Sequence, residues 1–113
     1  MIVYGIPNCD TTKKTIDYLK KHKYSFEFHD YKKSGITKAK LIEWSKKVGW
    51  EKLLNKKSTT WRELTIDEQQ RVIDEASAIK LMLEKNSIIK RPVTEAGQKV
   101  LVGFTEDFIK HLK

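Results

Sequence analysis

Residues 2–31 read IVYGIPNCDTTKKTIDYLKKHKYSFEFHDY, and the change of hydrophobic period along them decides the fold class. Ile2 to Ile6 is a short β-rich run closed by Pro7-Asn8, the pattern of a buried strand running into a turn. From Asp10 to His22, apolar Ile16 and Leu19 sit among Lys13, Lys14, Lys20 and Lys21, which predicts a helix capped by Asn8 or Asp10. Tyr24 to Tyr31 then alternates aromatic and polar residues, the period of a strand with one buried face. Strand, helix and parallel strand in this order make a right-handed βαβ unit. Cys9 falls on the turn between the first strand and its helix.

Working outward, Gly35 ends the strand region. Thr37 caps a helix running to about Val48, with Leu41, Ile42, Trp44 and Val48 facing inward and Gly49 as its stop. Trp50 to Leu54 reads as a further helical turn and Asn55 to Trp61 as a polar, lysine-rich loop. Thr65-Ile66-Asp67-Glu68 matches a capping box, with Val72, Ile73 and Ala76 continuing its apolar stripe, and another helix is expected at about Ala78–Glu84. Beyond Asn86 come two β-like runs, Ile88-Ile89 before Arg91-Pro92 and Val100-Leu101-Val102 before Gly103, with a hairpin loop around Gly97. Thr105, Glu106 and Asp107 open a final helix whose core side is Phe108, Ile109 and Leu112. The chain is therefore expected to be α/β, a thioredoxin-like fold (β-α-β, helical insertion, β-β-α) with a mixed sheet. Residues 1–113 form one domain in this reading, with the helical insertion at about 37–85.

Composition narrows the function classes. A chain of 113 residues with 39% hydrophobic residues, including three Trp, four Tyr and four Phe, can build one core without disulfides or a structural metal, and a monomer is expected. The net charge of +8 attracts anions. Its lysine pairs are separated by acidic and apolar positions, which argues against a nucleic-acid surface and fits a small anionic substrate equally well. One cysteine makes no internal disulfide and no signal-peptide pattern opens the chain, so a reducing cytoplasm is expected. No apolar run approaches the roughly 20 residues that cross a bilayer. His22 and His29 have no second ligand at metal spacing, so neither a metal nor a bound cofactor is expected.

A thiol where a strand turns into a helix faces backbone N–H groups and the positive end of the helix dipole, both of which favour the nucleophilic thiolate. A free cysteine is also often a small buried hydrophobe, but the polar setting Pro7-Asn8 and Asp10-Thr11-Thr12 favours the reactive reading. Thr12 stands three residues after Cys9, so no CxxC pair exists and any redox cycle needs an external thiol.

Four ordered motifs, residues 4–14 (YGIPNCDTTKK), 49–55 (GWEKLLN), 58–62 (STTWR) and 88–92 (IIKRP), together resemble the ArsC/Spx family, in its YffB-like, arsenate-reductase-related branch. The resemblance implies that Cys9 attacks an oxidised sulfur or an oxyanion, that Arg91 holds the anion with its planar fork, and that Pro92 is a cis-proline beside a bound thiol substrate. Asn8, Thr11, Thr12, Tyr4 and Lys14 are candidate pocket residues. Further substrate arginines of the family fall at about Asn55 and Gly103, which weakens arsenate as the substrate; Lys57 is the candidate for a compensating charge. The expected function is a glutathione-linked thiol reductase related to arsenate reductase, with glutathione as co-substrate and an external thiol as reductant. A non-enzymatic Spx-like regulator that binds RNA polymerase is the alternative.

Overall fold

Ile2–Gly5 forms β1, whose Val3, Tyr4 and Gly5 are buried, and the chain turns through Pro7 and Asn8 into α1, Asp10–Lys21. The computed structural model describes residues 1–112 and divides the chain into two units, Met1–Ser34 with the chain from Arg91 on, and Gly35–Lys90. Neither Asn8 nor Asp10 caps α1. The Cys9 N–H donates to the Ile6 carbonyl (3.1 Å), which places Asn8 inside the turn and leaves Cys9, with extended backbone (φ −87°, ψ 127°), at the N-cap. Asp10 in the first turn and Lys20 and Lys21 in the last complement the helix dipole. β2 is shorter than the aromatic alternation suggests, spanning Glu27–Asp30. The Asp30 carboxylate accepts from the Lys32 N–H (2.8 Å), turning the chain into α2, Tyr31–Ser34.

The regular elements of the Gly35–Lys90 unit are all helices, with one isolated antiparallel bridge between Leu54 and Ile89. α3 is Lys38–Val48, capped by Thr37 as its sequence predicts and stopped at Gly49, whose φ of +89° suits glycine. α4 is Trp50–Leu53, and α5 is Thr59–Arg62. The second of these lies where a loop is expected, because the Ser58 hydroxyl accepts from the Trp61 N–H (3.1 Å) and Trp61 is buried. α6, Ile66–Gln70, opens with the capping box expected of Thr65 and Glu68. Val72, Ile73 and Ala76 do not continue it. Asp74 accepts from the Ser77 N–H (2.9 Å) and starts α7, Glu75–Glu84, so Ile73 is left 75% exposed. Leu41, Trp44, Leu53, Ile79, Met82 and Ile88 are among this unit's buried residues.

Ile88-Ile89 is not a strand. Asn86–Ile88 is a short 3-10 turn, the Ile88 carbonyl accepts from the Asn55 N–H (2.8 Å), and the Lys90 N–H donates to the Leu53 carbonyl (2.8 Å). These residues bond to the end of α4 and the residues that follow it, and the hairpin begins only after Pro92. Its strands are β3, Val93–Ala96, and β4, Lys99–Val102, joined at Gly97 with φ +62°. α8, Glu106–Leu112, completes the described chain.

The sheet order is β2-β1-β3-β4, with β1 parallel to β2 and both other pairs antiparallel, the mixed α/β sheet expected from the sequence. Gly5 pairs with Asp30, Tyr4 with Val93, and Val93 with Val102. One edge of the sheet therefore carries the ends of β1, β2 and β4 and the start of β3, and from it leave the Cys9 turn, Tyr31, Arg91-Pro92 and Gly103. Val3, Leu19, Ala96, Leu101 and Phe108 form the buried core of this unit. No helix among the described residues is long and apolar enough to cross a membrane.

Candidate active site around Cys9

Cys9 is half-buried at the head of α1, and the Lys13 N–H donates to its carbonyl (3.0 Å). Partial burial pushes its thiol up. The Thr12 N–H and hydroxyl, the Arg91 guanidinium and the Thr11 N–H together outweigh that effect and hold the thiol below its ordinary value. No oxygen caps α1, and a neutral thiol is a weak acceptor. The first-turn donors are thus best satisfied by the thiolate.

Thr12 reaches this position because β1 ends in glycine. A Cβ on Gly5 would stand 2.8 Å from the Thr12 Oγ1, so only a residue without one lets α1 lie this close to the strand. Thr12 is fully buried, its hydroxyl has no oxygen or nitrogen partner, and it favours the anionic form of the Cys9 sulfur. Burying a hydroxyl without a partner is costly, which adds to that preference.

Arg91 and Pro92 enter the same edge from the other side of β1. The Arg91-Pro92 bond is cis, as the family resemblance implies, and the Pro92 carbonyl accepts from the Gly103 N–H (2.8 Å). Gly103 has φ +80°, a backbone that a side chain adopts only with strain, so a guanidinium is disfavoured at this position by the shape of the chain.

Tyr4, His29, Tyr31 and Glu95 form a group that sequence reasoning did not assemble. Tyr4 donates from its hydroxyl to the Glu95 Oε1 (2.8 Å), and the His29 ring lies 4.8 Å from the Tyr4 ring and 6.4 Å, edge-on, from that of Tyr31. Tyr31 is wholly buried. Burial, then Tyr4 and Glu95, push its phenol far up; Arg91 pulls the other way and does not offset them, so Tyr31 stays protonated. The usable signal was the alternation itself, since Tyr4, His29 and Glu95 share a sheet face once the register Tyr4↔His29 and Ile2↔Glu95 is known.

The structure thus brings Cys9, Thr11, Thr12, Arg91 and Pro92 to one sheet edge. Asn8 is exposed in the turn and Lys14 is exposed on α1. Lys57 belongs to the Gly35–Lys90 unit, where it is exposed and its N–H donates to the Asn55 Oδ1 (3.0 Å). Asn55 also accepts at its carbonyl from the Ser58 N–H and hydroxyl, which gives it a local task in shaping the loop before α5. Among the described residues no group of three or more His, Cys, Asp or Glu is placed to hold a metal ion.

The chain matches the model of the ArsC family over residues 4–112. It is 44% identical to a protein called YFFB, whose solved structure gives a TM-score of 0.91 over 97% of this chain and 96% of that one. The solution structure of an arsenate reductase (ArsC) related protein from Brucella melitensis is also 44% identical, with a TM-score of 0.77 over 97% and 91% of the two chains. The global transcriptional regulator Spx of Streptococcus agalactiae is 27% identical over 92% of this chain and 76% of its own length.

Proposed function

The chain belongs to the ArsC family, and from that premise we propose that it is a glutathione-linked thiol reductase whose nucleophile is Cys9. The observation that carries this reading is the environment of the sulfur: Thr12, Arg91 and Thr11 favour its anion at a half-exposed helix start. The Cys9 thiolate attacks the glutathione sulfur of a mixed disulfide, forming a Cys9–glutathione disulfide as the substrate sulfur leaves as a thiolate and takes a proton from water. A second glutathione thiolate then attacks that bond, leaves as oxidised glutathione and returns the Cys9 thiolate. Arg91 steadies the negative charge at the sulfur and pairs with a carboxylate of the incoming glutathione. The missing second cysteine is what makes the resolving thiol external, and the chemistry suits the reducing cytoplasm expected from cysteine usage.

Reduced protein incubated with oxidised glutathione should gain one glutathione by intact mass, and Cys9→Ser should gain none. No adduct, together with a thiol titrating near the ordinary value of about 8.5, would remove this reading.

The similarity to Spx supports a second reading, a regulator that docks on RNA polymerase. It predicts stoichiometric capture of the polymerase that survives Cys9→Ser. Failure of capture at low salt, where surface charge attraction is strongest, counts against it.

A further inference from the structure

Charge is segregated along the Gly35–Lys90 unit. Residues 38–62 carry eight Lys and Arg against two acidic residues, whereas residues 63–84 carry six Asp and Glu against two basic ones. The second stretch is thus an acidic segment of a chain whose net charge is +8. It also holds the apolar part of the surface: among the described residues the exposed large hydrophobic side chains are Ile66, Ile73 and Leu83, at 71%, 75% and 38% exposure. An exposed apolar residue standing singly needs no explanation, but these three fall in one stretch interleaved with Asp67, Glu68, Asp74, Glu75 and Glu84.

α7 gives that stretch a shape. Its Ala78, Ile79 and Met82 are buried, while the exposed Ala76 and Leu83 flank Ile79 at the i, i+3, i+7 spacing of one helix face. That face lines a groove of about 790 Å³, to which α3 contributes Lys38 and Ile42. The Ser45 hydroxyl of α3 donates to the Glu75 Oε2 of α7 (2.9 Å), so the two walls are tied together. Asp74, Glu75 and Glu84 bring three carboxylates to the groove, against two ammonium groups from Lys38 and Lys80. A lysine covers apolar surface with its stem while its ammonium stays in water. A two-turn apolar stripe among carboxylates suits a partner helix with apolar anchors at the same spacing and basic residues on its flanks. A second copy related by a two-fold axis would set the acidic patch against itself, and an anionic lipid surface would repel it.

We propose that the α3–α7 groove, with Ile73 just ahead of α7, is a docking site for a basic amphipathic helix of another protein. The surface lies wholly in the Gly35–Lys90 unit and uses none of the residues around Cys9.

The test uses the full chain and a labelled probe peptide of about 18 residues, five helical turns, with Leu at i, i+3, i+4 and i+7 spacing and Lys elsewhere. Binding is read by fluorescence anisotropy, with circular dichroism to confirm folding. The parent binds the peptide with a Kd of about 100 μM or tighter, and a scrambled peptide of the same composition binds about tenfold more weakly or worse. Leu83→Ser weakens binding of the amphipathic peptide about tenfold, and Glu84→Lys about threefold. Leu83→Ser leaves formation of a Cys9–glutathione adduct unchanged. Equal binding of the scrambled peptide, or parent-like affinity in either variant, overturns the proposal. So does a concentration-dependent dimer in sedimentation, or attachment to zwitterionic phosphatidylcholine vesicles, that Leu83→Ser abolishes, since the face would then belong to a second copy or to a lipid surface. If Leu83→Ser does not fold, Ile73→Ser, at an exposed residue outside α7, takes its place, and parent-like affinity there overturns the proposal equally.

Discussion

In the Gly35–Lys90 unit, Thr37, Ser58, Thr65 and Asp74 each accept a hydrogen bond from a first-turn N–H, at 3.1, 3.1, 3.1 and 2.9 Å. At the head of α1, in the other unit, the same position holds Cys9 and no oxygen cap. The first set of helix ends uses its exposed donors for local stability, and three of the four caps, the Thr37, Ser58 and Thr65 hydroxyls, do so without titrating. The α1 end keeps its donors for an acceptor that becomes good only when it is charged. Equivalent backbone positions thus carry an oxygen acceptor at these four helix starts and a sulfur at that of α1, and the difference lies in one side chain and what packs beneath it.

Gly5→Val should break this contrast most severely. The new side chain meets the Thr12 hydroxyl at a Cβ distance of 2.8 Å, so α1 must shift away from β1. The expected loss is about 1–3 kcal/mol in urea unfolding, typical of overpacking, together with an upward shift of the Cys9 titration. Unchanged stability and titration would show that the close approach of helix and strand does not place Thr12. Ser58→Ala tests the other side of the comparison. It removes a cap that accepts from Trp61 and donates to the Asn55 carbonyl (2.8 Å), at a cost of about 1 kcal/mol, and should leave the Cys9 titration where it was. A shifted thiol in Ser58→Ala would show that the two helix ends do not act independently.

The contrast also explains which features were legible in the sequence. Strand 2–5, the α1 helix, the Thr37 cap, the Thr65 capping box and the Gly97 hairpin all follow from local signals and are found in place. The failures occur where a nearby polar group redirected the chain. Asp74 and Ser77 restart a helix that the apolar stripe had continued from α6, Ser58 makes a helix of a lysine-rich loop, and the Leu53 and Asn55 backbone takes up Ile88 to Lys90. Of the site, Cys9, Thr12 and Arg91 were readable from the turn and the motifs. Tyr31, Glu95 and the tie between Tyr4 and Glu95 were not, because residues 91 positions apart become neighbours only through the β1–β3 register. The empty arginine positions found their reasons only in three dimensions, in the φ of Gly103 and the loop bonds of Asn55.

Thr12→Val carries a smaller expected effect on stability, because the buried hydroxyl it removes has no oxygen or nitrogen partner and valine has nearly its shape. Its effect is on the sulfur, whose titration should move up when one donor to the thiolate is lost. An unmoved titration in Thr12→Val would leave the backbone N–H groups and Arg91 as the whole cause.

The smallest effect is the pH dependence of stability itself. The folded Cys9 thiol titrates below its unfolded value, so between the two values the unfolded chain binds a proton that the folded chain has released. Stability from this group therefore rises with pH through that window, is complete above the unfolded value of about 8.5, and is lost as pH falls through the folded one. Urea midpoints of the parent minus those of Cys9→Ser should grow from neutral pH toward about pH 9, and Thr12→Val should show a narrower rise. Ser58→Ala should show the parent's rise at lower absolute stability, because its cap does not titrate. A flat difference between parent and Cys9→Ser would mean that α1's open end favours thiol and thiolate alike, and the contrast between the two kinds of helix start would then be one of residue identity without consequence for charge.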